Sequence, residues 1–561
     1  MRTSSRPAPS AYEGVPTPTA VESPAQMVRD TTPAATGAGA GVAPRAAGDS
    51  ITGGLRSAPA IVACVAAAAW MLLLYRPWES APFSIIDFSE FLPLLTGHAT
   101  FGDRLRALVS YYASQGRFNP LPYAALALKW SVFGNSPVAW QWIRAGQMFA
   151  IFVATLAVLR ELGFRWLATL CGAALLITAA SVVSAWTRLT MAEPMAVCFL
   201  LGATLFALRY QRTARWRAGA AAIGVLLLCA LLSKEMLVFA VPFLLLVAWL
   251  YRGDGEWSSF PERSRRNLVL LLWVSGVVAV VGVSTVLTLL HSRAGSFGSN
   301  YGASGVSLFR AIRALGYFAL PFSNGAMAGP ENLLYAAVVC AGLYASWKRG
   351  RLRLAPWLAA ASLPFVAALL YAPWPGLQDF YVLPGLVGNA ILLALAVEAL
   401  AEAGRPATVL AFLTCAAMLA SSSRNAYSRA RVEVAARRVD GEVARLLAMV
   451  PPGYTTLLAI RPELINRTPA QQWMMHGPTL SRYAAAVSGH PVPLAIEVTC
   501  GEAEALLQAS RPVVIAFNGG CAFGRPSTIG VRAGFDFWVG FRHQQAAMGA
   551  DVVWPFALPG A

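Results

Sequence analysis

Long apolar runs recur along almost the whole of this chain, each roughly 16 to 24 residues, the length that carries a helix across about 30 Å of hydrocarbon. They lie near 57–75, 137–158, 167–184, 192–208, 218–232, 236–251, 267–290, 332–347, 355–372, 381–402 and 407–423. A chain built this way cannot hide its apolar surface in water: 57% of its residues are hydrophobic and 13% charged, whereas soluble domains carry roughly 25% charge. The pattern predicts a mainly α, polytopic transmembrane bundle of about eleven spans.

The net charge of +17 would fit nucleic-acid binding only if the basic residues clustered on a soluble face. Here they sit between apolar runs, so nucleic acid is excluded as a partner. The loops with Arg160/Arg165, Arg209/Arg212/Arg215/Arg217, Arg252/Arg263/Arg265/Arg266, Lys348/Arg349/Arg351/Arg353 and Arg405 alternate with loops holding only Arg188, only Lys234 or no basic residue. The positive-inside rule makes the basic set cytoplasmic. The expected location is therefore the cell inner (cytoplasmic) membrane, with the N-terminus inside and, after an odd number of spans, the C-terminal part outside.

Three regions follow. Residues 1–56 are rich in Pro, Ala, Gly, Ser and Thr, bury too little to fold and read as a disordered cytoplasmic tail; the first long apolar run starts too late for a cleaved signal peptide. Residues 57–423 form the membrane domain. Residues 424–561 alternate short apolar strands (Thr456 to Ile460, Val513 to Phe517) with helical runs (Arg429 to Met449, Glu502 to Ala509), the pattern of a small extracytoplasmic α/β domain. Of eight cysteines, six lie in apolar runs, where a thiol behaves as a small hydrophobe. Cys500 and Cys521 are left in the polar C-terminal part, as a disulfide pair or as two free thiols.

Two outer loops are long, residues 76–136 and 291–331. In the first, 101–113 (Phe101, Leu105, Leu108, Val109, Tyr112) and 121–133 (Leu121, Tyr123, Leu126, Leu128, Trp130, Phe133) repeat apolar residues at helical spacing. Helices lying in the membrane interface look like this, and 121–133 is too short to span.

Charges near the bilayer are costly and are kept for pairing or function. Five places qualify: Asp87 with Glu90, Arg117, Arg188 with Glu193, Lys234 with Glu235, and Asp379. Asp87 sits in Ser84-Ile85-Ile86-Asp87-Phe88-Ser89-Glu90-Phe91, where a partly buried carboxylate can serve as a base, its pKa raised toward a useful value; it can equally cap the helix that follows. Lys234-Glu235 falls between two spans with hardly any loop, so both charges lie at interface depth. With Arg117 and Arg188, Lys234 is an outer cation able to hold a phosphate, or to snorkel to headgroups or pair internally. The five histidines form no ligand cluster, no Walker loop, GxSxG or metal motif is present, and no cofactor is required.

The passages Gly116-Arg117-Phe118-Asn119-Pro120-Leu121, Ala127-Leu128-Lys129-Trp130-Ser131-Val132-Phe133-Gly134-Asn135-Ser136-Pro137, Trp186-Thr187-Arg188-Leu189-Thr190-Met191-Ala192-Glu193-Pro194 and Leu232-Ser233-Lys234-Glu235-Met236 resemble the GT-C superfamily of polytopic glycosyltransferases, over about residues 57–250. The branches most alike are the protein O-mannosyltransferase-like and the tetratricopeptide-associated mannosyltransferase-like ones, with bacterial relatives that decorate lipid A, cell-wall polymers or proteins. The resemblance implies a first outer loop with two interfacial helices and a catalytic acidic residue near its start, which falls on Asp87. It further implies a polyprenyl-phosphate-linked sugar donor (dolichyl or undecaprenyl) and a lipid, polysaccharide or protein acceptor. Glu90, Arg117, Arg188, Glu193, Lys234 and Glu235 are then substrate-binding. The chain departs from the family in three places: the two acidic residues that are often adjacent are spaced as Asp87-Phe88-Ser89-Glu90, Asn119 stands where an arginine usually precedes Pro-Leu, and in Gly376-Leu377-Gln378-Asp379-Phe380-Tyr381-Val382-Leu383-Pro384 Asp379 replaces the arginine of an Arg-Tyr-x-x-x-Pro segment, which in the family is thought to meet the lipid phosphate. A carboxylate repels phosphate, so either another cation substitutes or the donor site has diverged.

The sequence thus points to a glycosyltransferase, with two competing classes. A transporter would carry internal repeats and Gly/Pro-broken helices at midplane, features the sequence does not show; a non-catalytic scaffold on the same fold would tolerate loss of the Asp87 carboxylate.

Overall fold

The computed structural model describes residues 57–79, 83–84, 88, 91–114, 116–260, 263–291, 307–322, 329–373, 379–448, 455–460, 481–483, 485–486, 495–499, 501–502, 505 and 513–519. The expected disordered tail, Asp87, Glu90, Cys500 and Cys521 lie outside these residues.

Every expected span coincides with helix. α1 (Ala58–Tyr75) is followed by α2 (Phe91–Thr96), α3 (Phe101–Ser114) and α4 (Pro120–Phe133), then α5 (Pro137–Glu161), α6 (Trp166–Thr178) and α7 (Val183–Thr187). Next come α8 (Glu193–Arg209), α9 (Trp216–Ser233) and α10 (Ala240–Leu250), the hairpin β1 (Tyr251–Gly253) and β2 (Glu256–Trp257), and α11 (Arg265–His291). The second half runs α12 (Leu308–Ala319), α13 (Pro330–Lys348), α14 (Leu354–Tyr371), α15 (Leu383–Glu402) and α16 (Arg405–Ala448). Among the described residues seven helices are long and apolar enough to cross a membrane alone, eight if the bent α6–α7 pair is one span. Chain 192–208 and 236–251 forms shorter helical stretches, and 332–347 lies within the 19-residue α13. The chain is a multi-pass membrane protein.

α15 is the central strut, buried from Leu383 to Val397 and packed on α6, α13, α14 and α16. Small residues permit that closeness where no hydrophobic effect draws helices together. A Cβ on Gly172 of α6 would stand 2.6 Å from the Ala390 carbonyl oxygen, and one on Gly342 of α13 would stand 2.5 Å from Ala396 Cα.

The bend of 45° between α6 and α7 passes through a 3-10 turn at Ala180–Val182. A break inside a membrane frees backbone carbonyls that must find donors. Trp70 Nε1 donates to the Ile177 carbonyl at 3.0 Å and Ser422 Oγ to that of Thr178 at 2.7 Å. Ser181 Oγ reaches across to the Pro321 carbonyl at 2.8 Å. The break is therefore a built feature, and it aims the chain after α7 into the region where Arg188 stands.

α3 and α4 occupy the two stretches read as interfacial helices and are joined by stacked Tyr112 and Tyr123, ring centroids 4.5 Å apart. The sequence reading separated a last span at 407–423 from a helical run at 429–449; the chain instead forms one 44-residue helix, α16. Nothing between Ala407 and Asp440 is Gly or Pro, and the serines in the middle bond to neighbours, Ser421 to Glu331 and Ser422 to Thr178. Beyond it, β3 (Thr455–Ile460) lies between β4 (Ala495–Thr499) and β5 (Val513–Gly519) in a parallel sheet. Two of these strands were legible in the sequence; β4 was not.

Candidate functional site

The segment between α7 and α8 carries two candidate residues, Arg188 at its start and Glu193 opening α8 ahead of Pro194. Proline suits the first turn because it has no N–H to leave unpaired. The backbone between them is gripped by two cations from elsewhere. Arg144 of α5, 4% exposed, donates from Nη2 to the carbonyls of Leu189 and Met191, both at 3.0 Å. Lys129 of α4 donates to the same Leu189 carbonyl at 3.1 Å while lying 4.4 Å over the Trp140 ring. Burial, and after it the Arg144 guanidinium, push the Lys129 amine well below the usual lysine value.

Lys234 closes α9, where the chain leaves helical geometry before the next turn. Its Nζ lies 2.9 Å from Oε1 of Glu193, with the two side chains 18% and 2% exposed. Burial alone weakens the ammonium, but Glu193, Tyr381 and Glu235 more than offset it, so Lys234 sits above the ordinary lysine value and is charged. The same Nζ stands 5.2 Å over the ring of Tyr381, which stacks on Tyr371 at 4.9 Å.

Arg117 enters from the turn between α3 and α4, its backbone N–H bonded to the Tyr112 carbonyl at 2.9 Å. Burial opposes its charge; Tyr123, Tyr381, Glu235 and Tyr112 together overcome that and hold the guanidinium above its usual range. Tyr381 is the common centre, in electrostatic reach of Lys234, Arg117, Glu193 and Arg188. Five residues singled out in the sequence, Arg117, Arg188, Glu193, Lys234 and Glu235, thus meet at one end of the bundle. Asp87 and Glu90 lie outside the described residues; their described neighbours in sequence, Phe83 and Phe88, are buried and pack on Trp140 at 5.4 and 5.2 Å.

Two of the departures from the family pattern fall on described residues and take different forms. Asn119 caps the entry to α4, 7% exposed, and its Oδ1 has no hydrogen-bond partner among the described residues. Asp379 does not present a bare carboxylate: one oxygen accepts from the Tyr317 hydroxyl and the other pairs with Arg429 of α16. Its negative charge is thereby countered from within the protein. Tyr381, Arg144, Lys129 and Arg429 are the residues that sequence reasoning missed as parts of the site. Arg144 alone carried a signal, an arginine inside the apolar run 137–158. No group of three or more His, Cys, Asp or Glu fit to hold a metal exists among the described residues.

The site is three cations and two carboxylates gathered round a tyrosine, an arrangement able to bind a phosphate and counter the charge that develops when it departs. Residues 96–304 match the sequence profile of the family described as dolichyl-phosphate-mannose-protein mannosyltransferase. That stretch, which runs from α3 to α11, is thus similar to a family of lipid-linked mannosyltransferases, in line with the resemblance read from the sequence.

Solved structures similar to the chain include the Archaeoglobus fulgidus oligosaccharyltransferase, at 13% identity and a TM-score of 0.42 over 77% of this chain and 62% of that one. ArnT from Cupriavidus metallidurans is similar at 14% identity and a TM-score of 0.45 in its apo state, over 80% of this chain and 94% of that one. The same ArnT bound to undecaprenyl phosphate gives 12% identity and 0.42 over 80% and 91%. The chain spans less than two thirds of the length of the archaeal enzyme. No curated protein matches it.

Proposed function

We propose that the chain moves a sugar from a polyprenyl-phosphate donor to a hydroxyl of an extracytoplasmic acceptor. The observation that carries the reading is the convergence of Arg117, Arg188 and Lys234 round Tyr381, within the stretch that matches a family named for a dolichyl-phosphate-mannose donor. In this reading the lipid donor enters sideways from the membrane and its phosphate rests against the three cations. The acceptor oxygen forms a bond to the anomeric carbon as the bond from that carbon to the phosphate oxygen breaks. The phosphate leaves with the electron pair, and the hydroxyl proton passes to the Asp87 carboxylate. Glu193 and Glu235 hold Lys234 and Arg117 in place and keep the site from binding anions indiscriminately. Glu90 is assigned to substrate binding with them.

The chain lies in the cytoplasmic membrane with its arginine-rich end inside and this site outside. Residues 424–561 form an extracytoplasmic α/β domain that positions the acceptor, following the membrane domain 57–423. The test is transfer of radiolabel from a mixture of polyprenyl-phosphate sugars by membranes holding the wild type or Asp87→Asn. Label transferred by the wild type and lost in an equally expressed variant supports the reading; transfer retained by the variant removes Asp87 from the role of base.

A further inference from the structure

Tyr381 belongs to a single 3-10 turn, Asp379–Val382, that opens α15. A turn this short has few hydrogen bonds of its own, so something must fix its angle to the bundle. Both oxygens of Asp379, the first residue of the turn, are occupied from outside it. Tyr317 of α12 donates to one; Arg429 of α16 pairs with the other. The pair is largely shielded from water, with side chains 13% and 23% exposed. Two residues further on, the Tyr381 ring lies over the Lys234 ammonium and against Tyr371.

We propose that Arg429 is a positioning residue for the phosphate-binding cluster: acting through Asp379, it seats the Tyr381 turn over Lys234. The proposal deepens the functional reading above and rests on it for its kinetic consequence. Among the described residues Arg429 pairs with Asp379 and Lys234 with Glu193, so the influence of Arg429 on the cluster passes through the turn. The direction is fixed by the helix that bears it. α16 is also tied to the end of α1 through Arg431, whose Nη1 lies 3.3 Å from Glu79 Oε1, and through Tyr427, which accepts from Arg76 at 3.2 Å. A helix fastened at 427 and 431 holds the intervening 429 in register, and Asp379 with it. The acid at position 379, which on the sequence seemed set against a phosphate, becomes the handle by which α16 holds the site together.

The test places 3-fluorotyrosine at position 381 in the purified full chain in nanodiscs and follows its fluorine resonance, beside donor kinetics. Lys234→Met marks the shift expected when the cation leaves the ring. Arg429→Ala is expected to shift the resonance and to raise the donor KM on the order of tenfold with kcat within about twofold. Arg429→Lys and the exchange Asp379→Arg/Arg429→Asp restore both, and the retained kcat of Arg429→Ala shows that it folds. A wild-type resonance and KM in Arg429→Ala overturn the proposal, as does a fall in kcat with the resonance unmoved. If the wild type transfers no sugar from any polyprenyl-phosphate donor, the functional reading fails while the resonance still decides whether Arg429 seats Tyr381.

Discussion

The two ends of the helix bundle use the same kinds of ion pair to opposite effect. At the arginine-rich end the paired cations stay a third or more exposed: Arg351 meets Glu402 at 3.7 Å with side chains 71% and 37% exposed, Arg165 meets Glu398 at 3.1 Å with the arginine half exposed, and the buried Glu161 is met by Arg209 and Arg212 at 46% and 34% exposure. At the other end Lys234 and Glu193 are shut away from water, and so are Arg429 and Asp379. Exposed pairs gain little, about 0–1 kcal/mol, because water and salt screen them. Buried pairs cost several kcal/mol of desolvation per ion before their attraction returns any of it. A protein gains no stability by choosing the second arrangement over apolar packing, so the deeper burial of both partners of a pair at one end marks that end as the working one.

This contrast ranks the consequences of breaking each pair. Lys234→Met leaves Glu193 buried and uncompensated; the expected loss is about 3–5 kcal/mol of stability, read as a lowered midpoint of thermal unfolding in detergent, together with loss of sugar transfer. Arg144→Met removes two charged hydrogen bonds from the Leu189–Met191 segment. Each charge-assisted bond contributes about 1.5–3 kcal/mol, and the effect should appear chiefly as a lower kcat as Arg188 and Glu193 lose their fixed positions. Arg351→Ala, at the exposed end, is expected to change stability by less than about 1 kcal/mol and transfer not at all. Comparable losses from Lys234→Met and Arg351→Ala would erase the distinction between the ends.

pH sharpens the same comparison. The Lys234 ammonium is held above the ordinary lysine value by its carboxylate neighbours, so its pairing is fully present below the unfolded-state value and is lost only as pH rises through the raised folded one. Donor KM should therefore stay flat through neutral pH and climb only in the lysine range or beyond. A carboxylate behaves oppositely. Glu79 is pushed up by burial but brought lower overall by Arg76 and Arg431, so its hold on α16 is present above the usual carboxylate value and is lost as pH falls through the lowered one. Thermal unfolding of wild type and Glu79→Gln should converge at acid pH; a difference that persists there would contradict this assignment.

What the sequence disclosed was what had to be written locally. Span length and the alternation of arginine-rich and arginine-poor loops are properties of consecutive residues, and so is the presence of Lys234-Glu235 between two apolar runs. These placed the helices and five members of the site. Tyr381 was not legible, because a tyrosine at the mouth of a span looks like any aromatic at a membrane interface. Arg429 and Asp379 are 50 residues apart in sequence, and neither announces the other. Lys129, in a short apolar helix, reads as a snorkelling lysine until the structure turns it onto the Leu189 carbonyl. Continuity of α16 was hidden by its change from apolar to charged near Ser421, a change of environment along one helix that composition alone presents as a boundary.

The central claim is that Arg117, Arg188 and Lys234 form a seat for a lipid phosphate. Saturable binding of undecaprenyl phosphate to the purified chain, followed by native mass spectrometry, tests it without need of the right sugar or acceptor. Binding is expected of the wild type and of Arg351→Ala, and its loss in the double variant Arg117→Met/Lys234→Met. Equal binding by wild type and double variant would contradict it.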